Sequence, residues 1–363
     1  MKGALTLGTF RGIKIAIHWS FLILLLWIAG STFMEKGSVS EVIIQVVFLL
    51  SVFACVVLHE LGHALMAGRF GIRTRDITLL PIGGVARLEK MPEEPRQELL
   101  VALAGPAVNV VIAGILFLVL MAGSSGFTGQ LVISDLTENS LPVNLMVVNV
   151  SLILFNLIPA FPMDGGRVLR AVLAMFWSRE KATRVAASLG QGIAVLFVIA
   201  GLFYNPFLIL IGVFVFIGAQ AEMGMVEQGA AFKGVTVRQA MMADFISLPE
   251  HVDLRTVQQT LLSGYVTDFL ITGPDGEVCG LLTRDDLIRS MSKLEPDASV
   301  TPVIRRDFIT VNPADPMEVA WSRMRENNLP LAPVVENGRV LGILTQENIA
   351  ELVAFYLARH QSR

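Results

Sequence analysis

Charge is scarce in this chain. Only 16% of its 363 residues are Asp, Glu, Lys or Arg, against 53% that are hydrophobic, and the mean hydropathy is +0.64. A soluble globular domain carries nearer a quarter charged residues, so water is not the solvent for most of this sequence. Cysteine is scarcer still: Cys55 and Cys279 stand far apart, which excludes a disulfide framework. No basic patch with interleaved aromatics is present, which excludes nucleic acid as a partner. The net charge of −3 is too small to imply any other electrostatic partner.

The shortage is uneven. Residues 1–230 hold 29 charged side chains, and the remaining 133 residues hold 30. This division predicts a membrane domain over 1–230 followed by a soluble domain over 231–363. Six apolar stretches, at 15–33, 41–67, 97–122, 143–159, 184–203 and 206–224, approach the ~20 residues needed to cross a hydrocarbon core of ~30 Å, and predict six transmembrane helices. Lys2, Arg11 and Lys14 precede the first stretch. It is expected to be an uncleaved helix rather than a secretory signal, because its removal would spoil the alternation that follows. Basic residues recur in every second connection: Arg69 to Arg96 (with Lys90), Arg167 to Arg184 (with Arg170), then Lys233 and Arg238. Residues 34–40 hold only Lys36, and residues 123–142 hold no Lys or Arg. By the positive-inside bias, both termini and the soluble domain face the cytoplasm of a plasma (inner) membrane.

One cluster carries chemistry. His59-Glu60-Leu61-Gly62-His63 matches H-E-x-x-H, which on a helix puts two imidazoles one turn apart on one face, with a glutamate placed to take a proton from water at a zinc ion. Chance gives this pattern in fewer than about one such chain in a hundred. A glutamate ending an apolar segment is also costly unless it faces a cavity or a partner. Catalytic zinc needs a third protein ligand and an open position. Asp164 is the strongest candidate: Pro159 and Pro162 break the chain just before it, and Gly165-Gly166 would let backbone pass close to a metal. The plainer reading of Asp164-Gly165 is a turn that caps the next helix. Cys55 shares the histidine stripe, but 55, 59 and 63 span two turns, too far for one ion. Residues 72–88 have β composition with Gly83-Gly84 as a turn, and predict a strand beside the site, with a plain loop as the alternative.

These features together resemble the site-2 protease family of intramembrane zinc metalloproteases. The resemblance rests on His59-Glu60-Leu61-Gly62-His63, then Gly105-Pro106-Ala107-Val108-Asn109, then Asn156 through Pro159 to Asp164-Gly165, and covers nearly the whole first 230 residues. It implies one zinc ion on His59, His63 and Asp164, with Glu60 as catalytic base. It also implies that Asn156 and Asn109 lie near the site to handle substrate backbone or oxyanion; for Asn109, bridging two helices is an equal alternative. The implied substrate is a transmembrane segment of another protein, cut near the cytoplasmic side and held extended along a strand edge.

The soluble part repeats. Residues 236–292 and 300–357 share landmarks at an offset of 62, Gly280 with Gly342 and Thr283 with Thr345. They resemble a tandem pair of CBS domains. That resemblance implies an α/β fold that binds ATP, ADP or AMP through Thr283, Asp286 and Thr345, or a pair that only mediates homodimerisation. Asn348 stands where Asp286 stands in the first copy, which leaves one of the two pockets in question. The fold class expected is therefore a six-helix membrane domain with a small β-hairpin, joined to a soluble tandem CBS domain. Two other functions fit the same residues: a CBS-gated transporter that binds its cation at the His/Glu/Asp cluster, and a pseudo-enzyme that sequesters membrane partners.

Overall fold

The alternation of Ile13, Ile15 and Ile17 with Lys14, Ala16 and His18 has the period of a strand, not of a helix. The computed structural model describes residues 4–81, 83–88, 92–123, 141–263, 268–291, 295 and 297–360, and it turns this stretch into a strand. β1 (Ala4–Phe10) and β2 (Ile13–His18) form an antiparallel hairpin before α1 (Trp19–Lys36) begins. The first apolar helix thus starts at Trp19 rather than residue 15, with the His18 ring capping it by accepting from the Ser20 N–H at 3.3 Å.

After α2 (Val39–Arg69) come β3 (Thr74–Leu80) and β4 (Gly83–Leu88), so the strand expected over 72–88 is present. It is part of something larger than a hairpin: a four-stranded sheet of order β1-β2-β3-β4, with β2 parallel to β3. Gly83 and Gly84 do not make the turn. They open β4, opposite Leu80 and Leu79. Ile13 and Ile77 of the sheet pack on Leu61 and Ala64 of α2, the very turn that carries the two histidines.

Then follow α3 (Pro95–Gly123), α4 (Leu141–Asn156), α5 (Asp164–Ala174), α6 (Arg179–Phe203) and α7 (Phe207–Phe232). Among the described residues five helices, α1, α2, α3, α6 and α7, are long and apolar enough to cross a membrane, one fewer than expected. α4 is apolar but has 16 residues, about 24 Å of helix. Bare backbone lets these helices touch: a Cβ at Gly62 would stand 2.7 Å from the Ala104 carbonyl oxygen of α3, and one at Gly212 would stand 2.7 Å from that of Ala194. Lys2, Lys90 and most of the 123–142 connection lie outside the described residues.

The chain divides into two units within α7, at Gly224/Met225. The second holds α8 (Val237–Ala240), β5 (Ile246–Pro249), α9 (Leu254–Ser263), β6 (Phe269–Thr272), β7 (Val278–Leu282), α10 (Arg284–Met291), α11 (Met317–Glu326), β8 (Leu331–Glu336), β9 (Arg339–Thr345) and α12 (Gln346–His360). The two copies are interleaved. Ala231, Phe232 and Val237, which lead into the first copy, are buried with Val311, Met317, Ala320 and Leu344 of the second. Val300 and Ile304, which lead into the second, are buried with Val257, Phe269 and Leu282 of the first. Two isolated bridges mark the exchange, Met242 to Ile343 and Leu281 to Arg305. The repeated glycines sit at these crossings. A Cβ at Gly280 would run into the Ile304 side chain, and one at Gly342 into the Met242 carbonyl oxygen. Gly342→Ala is therefore expected to destabilise the second unit by about 1–3 kcal/mol. Hydrogen exchange of peptides from 225–363 in the full chain should show faster exchange in β9 and the 237–242 segment than in the parent.

Candidate metal centre

Three buried donor atoms meet in the first unit. His59 and His63 lie one turn apart on α2, each 6% exposed, with their ring planes crossed at 81°. Asp164, also 6% exposed, is the first residue of α5. Its Oδ2 stands 3.2 Å from His59 Nε2 and 3.1 Å from His63 Nε2, and the two nitrogens are 3.1 Å apart. Asp164 is thus no surface turn, although it does begin a helix.

The protonation of His63 follows from its other side. Nδ1 is 2.7 Å from the Val101 carbonyl oxygen, which can only accept, so Nδ1 carries the hydrogen. Neutral His63 then turns a bare lone pair on Nε2 toward a carboxylate oxygen 3.1 Å away. Two lone pairs so close, out of water, call for a cation. Ligands about 2.0–2.1 Å from a tetrahedral zinc ion stand roughly 3.3–3.4 Å from one another, close to the triangle seen. Two imidazoles and one carboxylate are also a donor set that zinc takes, so these residues fit the ion. Among the described residues they are the cluster suited to a metal.

The room for this triangle comes from α3. A Cβ at Gly105 would stand 2.7 Å from His59 Nε2 and closer still to His63 Nε2, so any side chain there would fall on the donors. Gly165 and Gly166 have a steric use of their own. They seat the start of α5 on the backbone of Leu157 to Phe161. Glu60 is half-buried on the next face of α2, and β4 lies over it: a Cβ at Gly84 would be 2.9 Å from Glu60 Cγ. Asn109, four residues beyond Gly105, is fully buried, and neither of its amide atoms has a hydrogen-bond partner among the described residues. Asn156, half-buried, is the last residue of α4. The amide that bridges helices is another one, Asn149, which donates to Cys55 Sγ at 3.4 Å and accounts for that buried thiol.

Sequence reasoning missed three things here: the Val101 carbonyl, the bare face at Gly105, and a buried ion network. Arg170, assigned above to a basic loop, is 1% exposed and donates to Glu98 of α3 and Glu222 of α7. Its spacing from Asp164 on an amphipathic helix was the available signal.

In the second unit, a cavity of about 400 Å³ is lined by Asp268, Thr283 and Asp286 of the first copy and by Arg305, Asn328 and Glu347 of the second. Thr283 Oγ1 donates to Asp286 Oδ2 at 2.7 Å, while the Asp286 N–H donates back to Thr283 Oγ1. The pair therefore caps α10 as well as facing the cavity. Thr345 and Asn348 make the same cap on α12 (2.8 Å) but do not line the cavity. Burial pushes the Asp268 carboxyl above its usual range. The Arg284 N–H, donating to it at 3.2 Å, offsets part of this, and Glu347, Asp285 and Asp286 add to the rise.

Comparison with known proteins gives two families. Residues 47–141 and 133–201 match the model of peptidase family M50, and residues 237–293 and 300–354 each match that of the CBS domain. The chain is 31% identical over 352 residues to a zinc metalloprotease of Methanocaldococcus jannaschii, covering 96% of both. It is 29% identical over 387 residues to a Mycobacterium tuberculosis protein named as zinc metalloprotease Rip3, covering 98% of this chain and 94% of that one. A solved site-2 protease from Methanocaldococcus jannaschii is 36% identical, covers 61% of this chain and 95% of its own, and superposes with a TM-score of 0.45.

Two expectations follow. Gly105→Ala should be inserted and folded but should hold little or no zinc, checked by metal analysis of the purified full chain. Asp268 has a folded pKa above its unfolded one, so the folded state loses stability as pH rises through that window. Asp268→Asn removes this loss. It should raise the melting temperature of the second unit at pH 7, with a gain that shrinks as the pH approaches about 4.

Proposed function

The chain belongs to peptidase family M50, the site-2 proteases, and from that membership we propose that His59, His63 and Asp164 hold its zinc and that Glu60 carries the proton in peptide cleavage. The protein is an intramembrane zinc metalloprotease, acts on membrane proteins and spans the bilayer several times. The observation that carries the assignment of residues is the triangle of Nε2, Nε2 and Oδ2 atoms with edges of 3.1–3.2 Å. Membership in a protease family leaves the cation-transporter and pseudo-enzyme readings without support.

Zinc in such a site supplies a Lewis acid that acidifies water and polarises a carbonyl. The chain's own residues do the rest. The Glu60 carboxylate takes the proton from the attacking water, holds it on a carboxyl oxygen, and returns it to the amide nitrogen as the peptide bond breaks. The Asp164 carboxylate and the His63 ring, oriented by the Val101 carbonyl, keep the donors fixed while this happens. Asn109 and Asn156 donate side-chain N–H groups to the oxyanion. The unpartnered amide of Asn109 supports this, since the alternative role, bridging helices, would engage it.

The substrate enters extended. A peptide bond inside a helix has its backbone engaged, whereas β4 is the edge of its sheet and passes over Glu60. A substrate segment adds to that edge as a strand, which unwinds it at the bond to be cut. We place six membrane crossings in residues 1–230, with the apolar stretch at 143–159, most of it in α4, as the fourth. Both termini are cytoplasmic in a plasma membrane, so cleavage falls near the cytoplasmic side. Residues 231–363 form the regulatory CBS pair. The cavity beside Thr283 and Asp286 takes an adenine nucleotide there, Thr345 serves as a helix cap, and the pair is also the surface through which two chains associate.

Glu60→Gln decides the mechanism. The variant should keep its zinc and lose cleavage of a single-span membrane substrate by at least 10²-fold, the low end of what proton transfer contributes. Undiminished cleavage would sink the role given to Glu60.

A further inference from the structure

Behind the metal triangle lies a set of charges that the reaction does not use. The Arg170 guanidinium donates through Nε (2.7 Å) and Nη2 to Glu98 Oε1, and through Nη1 to Glu222 Oε2 at 2.8 Å. Arg179 stands 3.5 Å from the second oxygen of Glu98, and Arg167 3.4 Å from that of Glu222. The guanidinium also lies 4.9 Å over the ring of Phe161, itself fully buried. Removing such charges from water is costly, and an apolar side chain would pack α5 more cheaply. What an apolar side chain cannot do is fix directions. A planar fork with several donors holds its partners in angle as well as in distance.

Those partners sit where the metal site needs them. Glu98, Val101 and Gly105 occupy positions i, i+3 and i+7 of α3 and so share one stripe. Val101 orients the His63 ring, Gly105 leaves room for the donor atoms, and Glu98 receives Arg170. Asp164 stands six residues before Arg170, about 9 Å along α5. Its turn has no side-chain cap from Met163. The backbone on which Gly166 rests, Ala160 to Phe161, ends at the ring beneath the guanidinium. One stripe of α3 therefore references both the histidines and the helix that brings the carboxylate.

We propose that Arg170 is a positioning residue for the zinc site, which by joining Glu98 to Glu222 sets where α5 presents Asp164 to His59 and His63. This rests on the reading of those three residues as the ligands.

The test uses the full chain in detergent, with zinc affinity measured by competition against a chromophoric chelator, alongside cleavage at rising zinc concentration. Arg170→Gln is expected to lower zinc affinity roughly ten- to a hundredfold, the range seen when a group behind a metal ligand is lost. Excess zinc should restore most of the cleavage. The triple variant Glu98→Gln/Arg170→Met/Glu222→Gln removes the three most buried charges and leaves only Arg167 and Arg179, which are about a quarter exposed, so it is expected to fold and still to show the loss. Arg170→Lys, which keeps the charge without the fork, should fall between. A folded triple variant with parental zinc affinity overturns the proposal; if the triple does not accumulate, parental affinity in Arg170→Lys does so. His59→Ala is the control. Retention of zinc there sinks the ligand assignment, whereas its loss there, with parental affinity in the Arg170 variants, sinks only the positioning role.

Discussion

Where α2 meets α3 the two backbones come together with almost nothing between them, at Gly62 and Gly105, and the metal centre depends on that bareness. A single methyl group at residue 105 would occupy the place where the imidazole nitrogens point. The sheet presses on the other side of the same turn through Ile13 and Ile77. His59 and His63 thus project into a gap whose width is set by packed backbone rather than by mobile side chains. This rigidity matters because the zinc donors are lone pairs that repel one another until an ion joins them. Only surroundings that cannot yield hold them 3.1–3.2 Å apart.

What the sequence made legible was the chemistry that sits in short runs. His59, Glu60 and His63 lie within one helical turn, so spacing alone carries their geometry. Asp164 needed more: a helix broken by Pro159 and Pro162 placed it near a membrane boundary, and the fold brought it across 101 residues to His63. Features that depend on a partner far along the chain stayed hidden. Arg170 looked like one more positive-inside residue, because nothing local distinguishes an arginine in a cytoplasmic loop from one enclosed by Glu98 and Glu222. The end of β2 was absorbed into an apolar run, since Ile15 to His18 continues into Trp19 without a break in hydropathy, and β1 was not read at all. Gly165 and Gly166 were visible, but the neighbour they accommodate was not.

In the second unit, periodicity gave the repeat and steric need explains it. Gly280 and Gly342 recur because each lies where the leading segment of the other copy crosses a strand. The Thr-x-x-Asp and Thr-x-x-Asn pairs are similar in their capping role and differ only in what they face. Asp286 meets the cavity and Arg305 at 3.9 Å, while Asn348 caps its helix alone. The single-residue difference read from the sequence is therefore a difference between two faces of one pseudo-symmetric pair.

The exchange of leading segments also orders the birth of the protein. Phe232, at the end of α7, is sealed by Met317, Leu344 and Ile349, residues made more than 80 positions later. During synthesis that end of the last membrane helix stays uncovered until nearly the whole chain has left the ribosome. The first copy likewise waits for Val300 and Ile304 before its core can close. A chain cut short anywhere between the two copies completes neither of them, so the pair is gained or lost as a whole.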